Sequence, residues 1–515
     1  MKKTLARLLI ASLLVVTVIL AIYRPPSNFY PAVEIEATEP LGGITLSFLF
    51  EGRSTLSDCE LATGNIARKT LQACPQCRIT KLTCDFTLSQ DSRTHLSDAP
   101  IQQPSGRMTN GVIIYRSANT ALAHAACHAT ESQSAKSLSP VKCYNPETKR
   151  KLLPAPSPLN AWSPIVLFIA LLSAWLVGWL IIRYEHLHAH FSHDYTNSGP
   201  QKYHTQPTPR IGGLAVMVGL LSAGGIMLFA DAISVERQFG LLLLAGIPAF
   251  LGGLIEDITK KVGVLERLLL TMLSGAAAAW LLGAVLNRLD IPGVDAALTW
   301  LPFAVAFTAF AVGGIANAIN IIDGYNGLAG GFAVIVLAAI AYVANTVGDA
   351  LVFNTSIALV GAVVGFLVWN WPCGKIFFGD GGAYLVGFML AELSILLVLR
   401  NPTVSPWFPL LLLIYPIFET IYSIYRRKFQ HKLSPGQPDN QHLHQLIHDK
   451  LIPHHTHGKP FSRNSQVAKY LWIPASVLAA LGSIFSGSTP FLTTCAVGFC
   501  IFYILNYRRI SASKR

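Results

Sequence analysis

An all-α polytopic membrane protein is the fold class this sequence predicts, with about eleven core transmembrane helices behind an N-terminal signal-anchor and an extra exported, cysteine-containing domain. Three observations carry that reading. The 515 residues are 52% hydrophobic and only 13% charged. From residue 163 onward, apolar runs near the ~20 residues that a helix needs to cross a bilayer follow one another closely. Basic residues gather in alternate connections between those runs. The formal charge of +12 is thereby placed at a membrane surface, and no nucleic-acid partner is expected.

Residues 1–23 open on Lys2, Lys3 and Arg7, followed by an apolar run from Leu8 to Ile22. This is a transmembrane anchor or a signal peptide. The run is long for a signal peptide and no small-x-small cleavage site precedes Tyr23, which favours the anchor. In either case the basic start stays in the cytoplasm.

Residues 24–160 are a different material, polar and rich in Ser and Thr, with Cys59, Cys74, Cys77, Cys84, Cys127 and Cys143 and no run long enough to span. Placed behind the first segment, they are expected to be periplasmic and disulfide-containing, serving either as a contact for an envelope-glycan assembly partner or as a stapled cap. Cys74-Pro-Gln-Cys77 alone also fits a redox or zinc pair. A disulfide framework is the simpler reading, because no His-rich spacing completes a zinc site, and six cysteines allow fifteen pairings. The proline-rich stretch from Lys149 to Pro164 reads as the linker into the membrane.

Residues 161–515 form the polytopic domain. The expected spans are 163–183, 210–230, 238–255, 264–286, 298–316, 328–344, 350–370, 381–399, 406–424, 467–486 and 489–507. If the preceding domain is exported, the connections 184–209, 256–263, 317–327, 371–380, 425–466 and 508–515 are cytoplasmic. Those connections hold most of the basic residues, including Arg426, Arg427, Lys428, Lys432, Lys450, Lys459 and Arg463 in one loop. The alternate connections are short and nearly uncharged, so two independent signals give one orientation.

Every polar cluster with chemical potential falls on that side. Glu256-Asp257 ends one span, with Lys260 and Lys261 just beyond. Asn317 to Gly331, reading N-A-I-N-I-I-D-G-Y-N-G-L-A-G-G, ends another and places Asn317, Asn320, Asp323 and Asn326 between two apolar segments. Phe378-Gly-Asp380-Gly-Gly opens a third, and His442-Leu-His444 with His448 lies in the long basic loop. Polar, glycine-rich backbone at membrane depth is expected only where it is buried in protein or lines a wet cavity.

Diphosphate handling fits this set. Mg2+ takes hard oxygen ligands and leaves coordination for substrate phosphates, so Asp380 with an amide near Asn320 makes a minimal metal site. Glycines admit a phosphate to the backbone, and Lys, Arg and His offset its charge. Each element also has a plainer reading: a solvated helix end for Glu256-Asp257, a turn for Gly379 to Gly382, and a loosely metal-binding loop for His444 and His448. Trp369 and Trp371 read as interfacial anchors.

In combination these residues resemble a known family. Asn317 to Gly331 resembles the N-A-x-N-x-x-D-G-x-D-G-L motif of the polyprenyl-phosphate N-acetylhexosamine-1-phosphate transferases, glycosyltransferase family 4, the group that includes WecA and MraY. Gly379 to Gly382 resembles its G-D-x-G motif, Gly253 to Lys261 its D-D motif, and Pro209 to Gly213 its P-R-x-G-G entry to the second core helix. Ser434 to His444 is close to the S-P-x-x-P-D-x-x-H-x-H loop of the WecA branch. The five motifs occur in order across residues 160–510. The sequence departs from the pattern at Glu256, Asn326 and Gln445, where relatives carry Asp, Asp and His.

The resemblance implies a Mg2+-dependent transfer, for which Mn2+ is an alternative, at the cytoplasmic face of the bacterial inner membrane. Undecaprenyl phosphate would accept a sugar-1-phosphate from a UDP-sugar and UMP would leave, as the first step of a lipid-linked envelope glycan. By motif position Asp380 and Asn320 would hold the metal, and Asp257, Glu256 and Asp323 would be catalytic. Asn317, Asn326, Lys260, Lys261, Arg427, His442 and His444 would bind substrate. The competing class is a transporter or an inactive scaffold; a transporter places its polar residues near the middle of broken helices, often in paired halves.

Overall fold

The computed structural model describes residues 30–37, 44–50, 77–85, 105–108, 111–117, 142–144, 162–194, 207–229, 233–430, 432, 440–453 and 463–513. The anchor segment, most of the Lys149–Pro164 linker, Cys59, Cys74, Cys127 and Ser434–Asp439 lie outside them. The chain separates into two compact units, Met1–Pro156 and Ser157–Arg515.

The first unit carries strands that the reading above did not assign. β1 (Tyr30–Ala37), β2 (Ile44–Phe50), β3 (Cys77–Asp85), β4 (Ser105–Met108), β5 (Gly111–Ser117) and β6 (Lys142–Tyr144) form a six-stranded antiparallel sheet in the order β3-β1-β2-β5-β4-β6. β1 alternates Val33 and Ile35 with Glu34 and Glu36, the period of two expected of a strand with one covered face. Val33 pairs with Phe48, and Ile35 with Leu46.

The second unit is helical apart from a two-residue strand pair, β7 (His193–Asp194) with β8 (Thr208–Pro209). Its helices are α1 (Ser163–Arg183), α2 (Glu185–Ser192), α3 (Gly212–Phe229), α4 (Ile233–Thr259), α5 (Val264–Leu282), α6 (Pro292–Leu298), α7 (Leu301–Ile322), α8 (Leu328–Val347), α9 (Ala350–Asn370), α10 (Gly379–Arg400), α11 (Trp407–Leu412), α12 (Ile414–Tyr425), α13 (Leu443–Lys450), α14 (Arg463–Ile484) and α15 (Thr489–Ala512). Among the described residues nine helices are long and apolar enough to cross a membrane: α1, α4, α5, α7, α8, α9, α10, α14 and α15. The apolar part of α3, Gly212–Leu228, is shorter. This is a multi-pass membrane protein.

The span expected at 406–424 is broken at Leu413 into α11 and α12. Pro416 supplies the reason: it has no N–H to offer the Leu412 carbonyl, and its ring crowds that same group. Trp369 and Trp371, expected at the membrane interface, also join helices. Trp369 stacks on Trp175 and donates to its carbonyl at 2.9 Å, and Trp371 packs on Trp472 and donates to the Ser465 carbonyl at 3.2 Å.

α10 is the core of the bundle. All its residues from Gly379 to Val398 are buried, against α4, α7, α3 and α8, as an all-round apolar helix requires. Its first turn comes backbone to backbone with two neighbours. A methyl group at Gly253 of α4 would collide with Asp380 and Gly381, and one at Gly213 of α3 with Gly381 and Gly382. These contacts bring the polar ends of α3, α4, α7 and α10 to one end of the unit.

Two outcomes follow. Cys77 and Cys84 are about 23 Å apart along β3, and Cys143 lies on the opposite edge strand, about 24 Å across the sheet; a disulfide needs Cα atoms within about 7 Å. Peptide mapping without reductant is therefore expected to link each of the three to Cys59, Cys74 or Cys127, and a Cys77–Cys84, Cys77–Cys143 or Cys84–Cys143 link would contradict the sheet order. In α10, neither carboxylate oxygen of the fully buried Glu392 has a hydrogen-bond partner among the described residues. Glu392→Met is expected to stabilise the purified protein by about 1–3 kcal/mol, read as a raised midpoint of thermal unfolding.

Candidate active site

The stretch Pro209 to Gly213 runs beside the chain entering α10. Phe377 N–H donates to Pro209 O at 2.8 Å, Gly212 N–H to Phe377 O at 3.0 Å and Gly213 N–H to Phe378 O at 2.9 Å. This ladder sets Arg210 over the start of α10. From the other side Asp257, on the last turn of α4 and 1% exposed, accepts the N–H groups of Asp380 at 2.8 Å and Gly381 at 2.9 Å. Two N–H groups that have no partner within the helix are satisfied, and a carboxylate sits at the positive end of the helix dipole.

Asp380 is the hub. Its Oδ1 accepts from Arg210 Nη2 at 3.2 Å and Asn320 Nδ2 at 3.1 Å, and its Oδ2 from Arg267 Nη1. Arg210 also reaches Asp257 Oδ1 at 3.3 Å. Tyr384, one turn along α10, donates to Asn320 Oδ1 at 3.4 Å. Asp323, just past the end of α7, has its carboxyl pushed well above the usual range by burial, and further by Asp380 and Asp257, with Arg210 acting in opposition. The structure thus gathers Asp257, Asn320, Asp323 and Asp380 around two guanidinium groups.

Other expected site residues make their hydrogen bonds outside this hub. Asn317 faces α5, donating to Gly313 O at 2.8 Å and Thr271 Oγ1 at 3.3 Å. Glu256 accepts the Val262 N–H at 2.6 Å and so closes the turn after α4. Lys260 donates to His193 O at 3.1 Å and Lys261 is exposed. Asn326 is a joint: its N–H donates to Asn464 Oδ1 at 2.7 Å and its amide to Pro372 O at 3.3 Å. Beside it Gly327, at φ +80° beneath Trp371, donates to Asn370 Oδ1 at 2.6 Å.

The histidines form a second group against the same turn. His442 and His444 are buried, their rings stacked 5.3 Å apart. His442 Nδ1 bonds Glu419 Oε1 at 2.9 Å, and His444 Nδ1 meets the Tyr415 hydroxyl at 3.3 Å. Tyr325 packs on His444 and His448, with ring centroids 5.6 and 5.3 Å away. Arg427 is buried in the π-helical turn Arg426–Gln430 that leads toward this loop.

Arg267, Tyr384 and Glu419 were missed by the sequence reading, and Arg210 entered only within a motif. A signal existed for two of them: Arg267 and Glu419 are ionisable residues inside apolar runs, where charge is costly and so marks function or pairing.

Among the described residues no group of three His, Cys, Asp or Glu side chains is placed to hold a metal ion. Asp380 and Asn320 nevertheless fit Mg2+ in the manner that takes one or two protein oxygens and completes its shell with water and phosphate. Turning over the Asn320 amide, whose O and N positions are interchangeable in shape, sets two oxygen donors side by side.

The model of the family described as "Glycosyl transferase family 4" matches residues 239–398. A probable undecaprenyl-phosphate N-acetylglucosaminyl 1-phosphate transferase of Bacillus subtilis is 29% identical over 310 residues, 59% of this chain and 78% of that protein. A decaprenyl-phosphate N-acetylglucosaminephosphotransferase of Mycolicibacterium smegmatis is 30% identical over 318 residues, covering 55% and 73%. The undecaprenyl-phosphate alpha-N-acetylglucosaminyl 1-phosphate transferase of Escherichia coli K12 is 27% identical over 264 residues, covering 48% and 67%.

The bonding of Asp257 separates it from Asp323. Asp257→Ala leaves two buried N–H groups unpaired and is expected to destabilise the substrate-free protein by about 2–4 kcal/mol. Asp323→Asn, which relieves crowding among carboxylates, is expected to leave stability unchanged or raise it. Thermal unfolding of the two variants in detergent checks the contrast.

Proposed function

The chain belongs to the polyprenyl-phosphate N-acetylhexosamine-1-phosphate transferases of glycosyl transferase family 4, and from that membership we propose that it moves N-acetylhexosamine-1-phosphate from a UDP-sugar to undecaprenyl phosphate. An oxygen of the lipid phosphate attacks the sugar-linked phosphorus of the donor. The bond from that phosphorus to the bridging oxygen breaks, UMP leaves with the oxygen, and a polyprenyl-diphospho-sugar remains. UDP-N-acetylglucosamine is the donor proposed, following the relatives' names.

The observation that supports this most is the Asp380 hub, with three neighbouring polar side chains and two guanidinium groups at the N-terminus of the most buried helix. Mg2+, or Mn2+ in its place, would be held by Asp380 and Asn320 and would offset charge on the donor diphosphate. Asp257 keeps Asp380 and the first turn of α10 in register. Arg210 and Arg267 bring positive charge to where phosphate oxygens crowd, the main requirement of phosphoryl transfer. Asp323 borders the nucleotide-sugar pocket, and His442, His444 and Arg427 face phosphate or sugar.

The loops rich in Lys and Arg support a cytoplasmic position for this end, in a protein of the bacterial inner membrane with residues 24–160 exported. There the exported domain would meet an envelope-glycan assembly partner. The departures at Glu256 and Asn326 do not favour an inactive scaffold. Both side chains are engaged in holding turns, and neither bonds Asp380. The site also lies at helix ends rather than midway along broken helices in paired halves, which counts against a transporter.

The test incubates membranes with undecaprenyl phosphate, Mg2+ and a panel of radiolabelled UDP-sugars. Label soluble in chloroform should appear with matching UMP, most from UDP-N-acetylglucosamine, and Asp380→Asn should lower it by about 100-fold or more. Folded protein that transfers from no UDP-sugar would refute the proposal.

A further inference from the structure

We propose that Glu419 is a positioning residue: it holds the His442 imidazole by Nδ1 so that Nε2 is presented toward the phosphoryl-transfer site. The inference rests on the transferase reading above. Glu419 lies on α12 and is 0% exposed, inside a run where a charge is costly. All the donors it meets belong to the histidine segment or to the helix behind it. Oε1 takes His442 Nδ1 at 2.9 Å, while Oε2 takes the Leu443 N–H at 3.2 Å and the Tyr503 hydroxyl at 2.8 Å. One carboxylate therefore joins α12, the start of α13 and α15.

The bond decides which ring nitrogen does chemistry. An imidazole that gives its Nδ1–H to a carboxylate has its tautomer and plane fixed, and it acts through Nε2. The surroundings hold that plane. His442 is the N-cap of α13, and its own N–H donates to Gln445 Oε1 at 2.9 Å. His444 lies parallel to it at an interplanar angle of 10°. A methyl group at Gly324, beside Asp323, would lie 3.7 Å from Nε2 of His444, which puts His444, and with it the ring stacked on it, against the turn that begins at Asp323. Behind the pair, Arg426 fixes the approach of the loop by donating to Gln441 O at 2.6 Å.

A carboxylate that served only to pack helices would act independently of His442, and a double-mutant cycle separates the two cases. In the full-length protein in detergent, Glu419→Gln is expected to lower kcat about 10- to 100-fold with KM for the UDP-sugar unchanged. His442→Ala should cost more, and the double variant no more than His442→Ala alone. Losses that multiply, or a Glu419→Gln variant as active as the starting protein, would overturn the proposal. Should Glu419→Gln not fold, Tyr503→Phe takes its place in the same cycle, with a smaller loss that must also vanish in the His442→Ala background. A readout without turnover keeps this apart from the transferase reading. Carbethoxylation of His442 by diethyl pyrocarbonate, followed by mass spectrometry, should be faster in Glu419→Gln, and an unchanged rate would overturn the clamp even if the wild-type protein transferred no sugar.

Discussion

The acceptance of the first backbone N–H groups of α10 by the Asp257 carboxylate is the constraint on which the rest of the site depends. Buried backbone donors must be paired, and here the partner comes from the end of another helix rather than from a cap within the same segment. The consequence is positional. The end of α4 and the start of α10 cannot move independently, and Asp380, second residue of α10, inherits its place from that bond. Arg210 then bridges both acids, and Arg267 and Asn320 close on Asp380 from α5 and α7. Asp257, catalytic by motif position, also serves in the substrate-free protein as an anchor.

The same bond explains how a carboxylate-rich site exists at the edge of an apolar bundle. Unpaired carboxylates at this depth would be costly. Two arginines and a helix N-terminus offset them, and the glycines of α3, α4 and α10 let the backbones close enough for those groups to reach. Glu419 follows the same rule, with all of its charge taken up by donors. Among the described residues Glu392 is an exception, and it sits in the interior of the bundle, away from the paired cluster.

Much of this was legible in the residues. The apolar runs, their spacing and the meeting of the polar ends at one end of the unit follow from hydropathy and charge, because the bilayer penalises polar groups midway along a span. Boundaries were less legible. α7 continues six residues past the expected end at 316, to Ile322, so Asn317 and Asn320 are helical and share its final turns. At that end the sequence turns polar, but a helix satisfies its own backbone whether its side chains are apolar or not. The break at Leu413 was signalled by Pro416 and hidden by the unbroken apolar run. The helix-joining bonds of Trp369 and Trp371 were not legible, because an indole suits an interface and an interhelical joint equally well. Side-chain pairing was the least legible: nothing local in the sequence says that Arg267 reaches Asp380 across 113 residues.

That limit bears on how departures from a family pattern should be weighed. A missing carboxylate in a motif counts against catalysis only if the motif position faces the reacting groups. Asn326 bonds Asn464 and the Pro372 carbonyl, and its amide offers a donor that the Pro372 carbonyl accepts and that an ionised Asp could not supply. Glu256 needs only one oxygen near the Val262 N–H, which the longer side chain reaches across the turn. Both substitutions suit the local hydrogen bonds better than they suit a change in the chemistry at Asp380. In this chain both departures bear on how the loops around the hub are held, and neither side chain bonds Asp380.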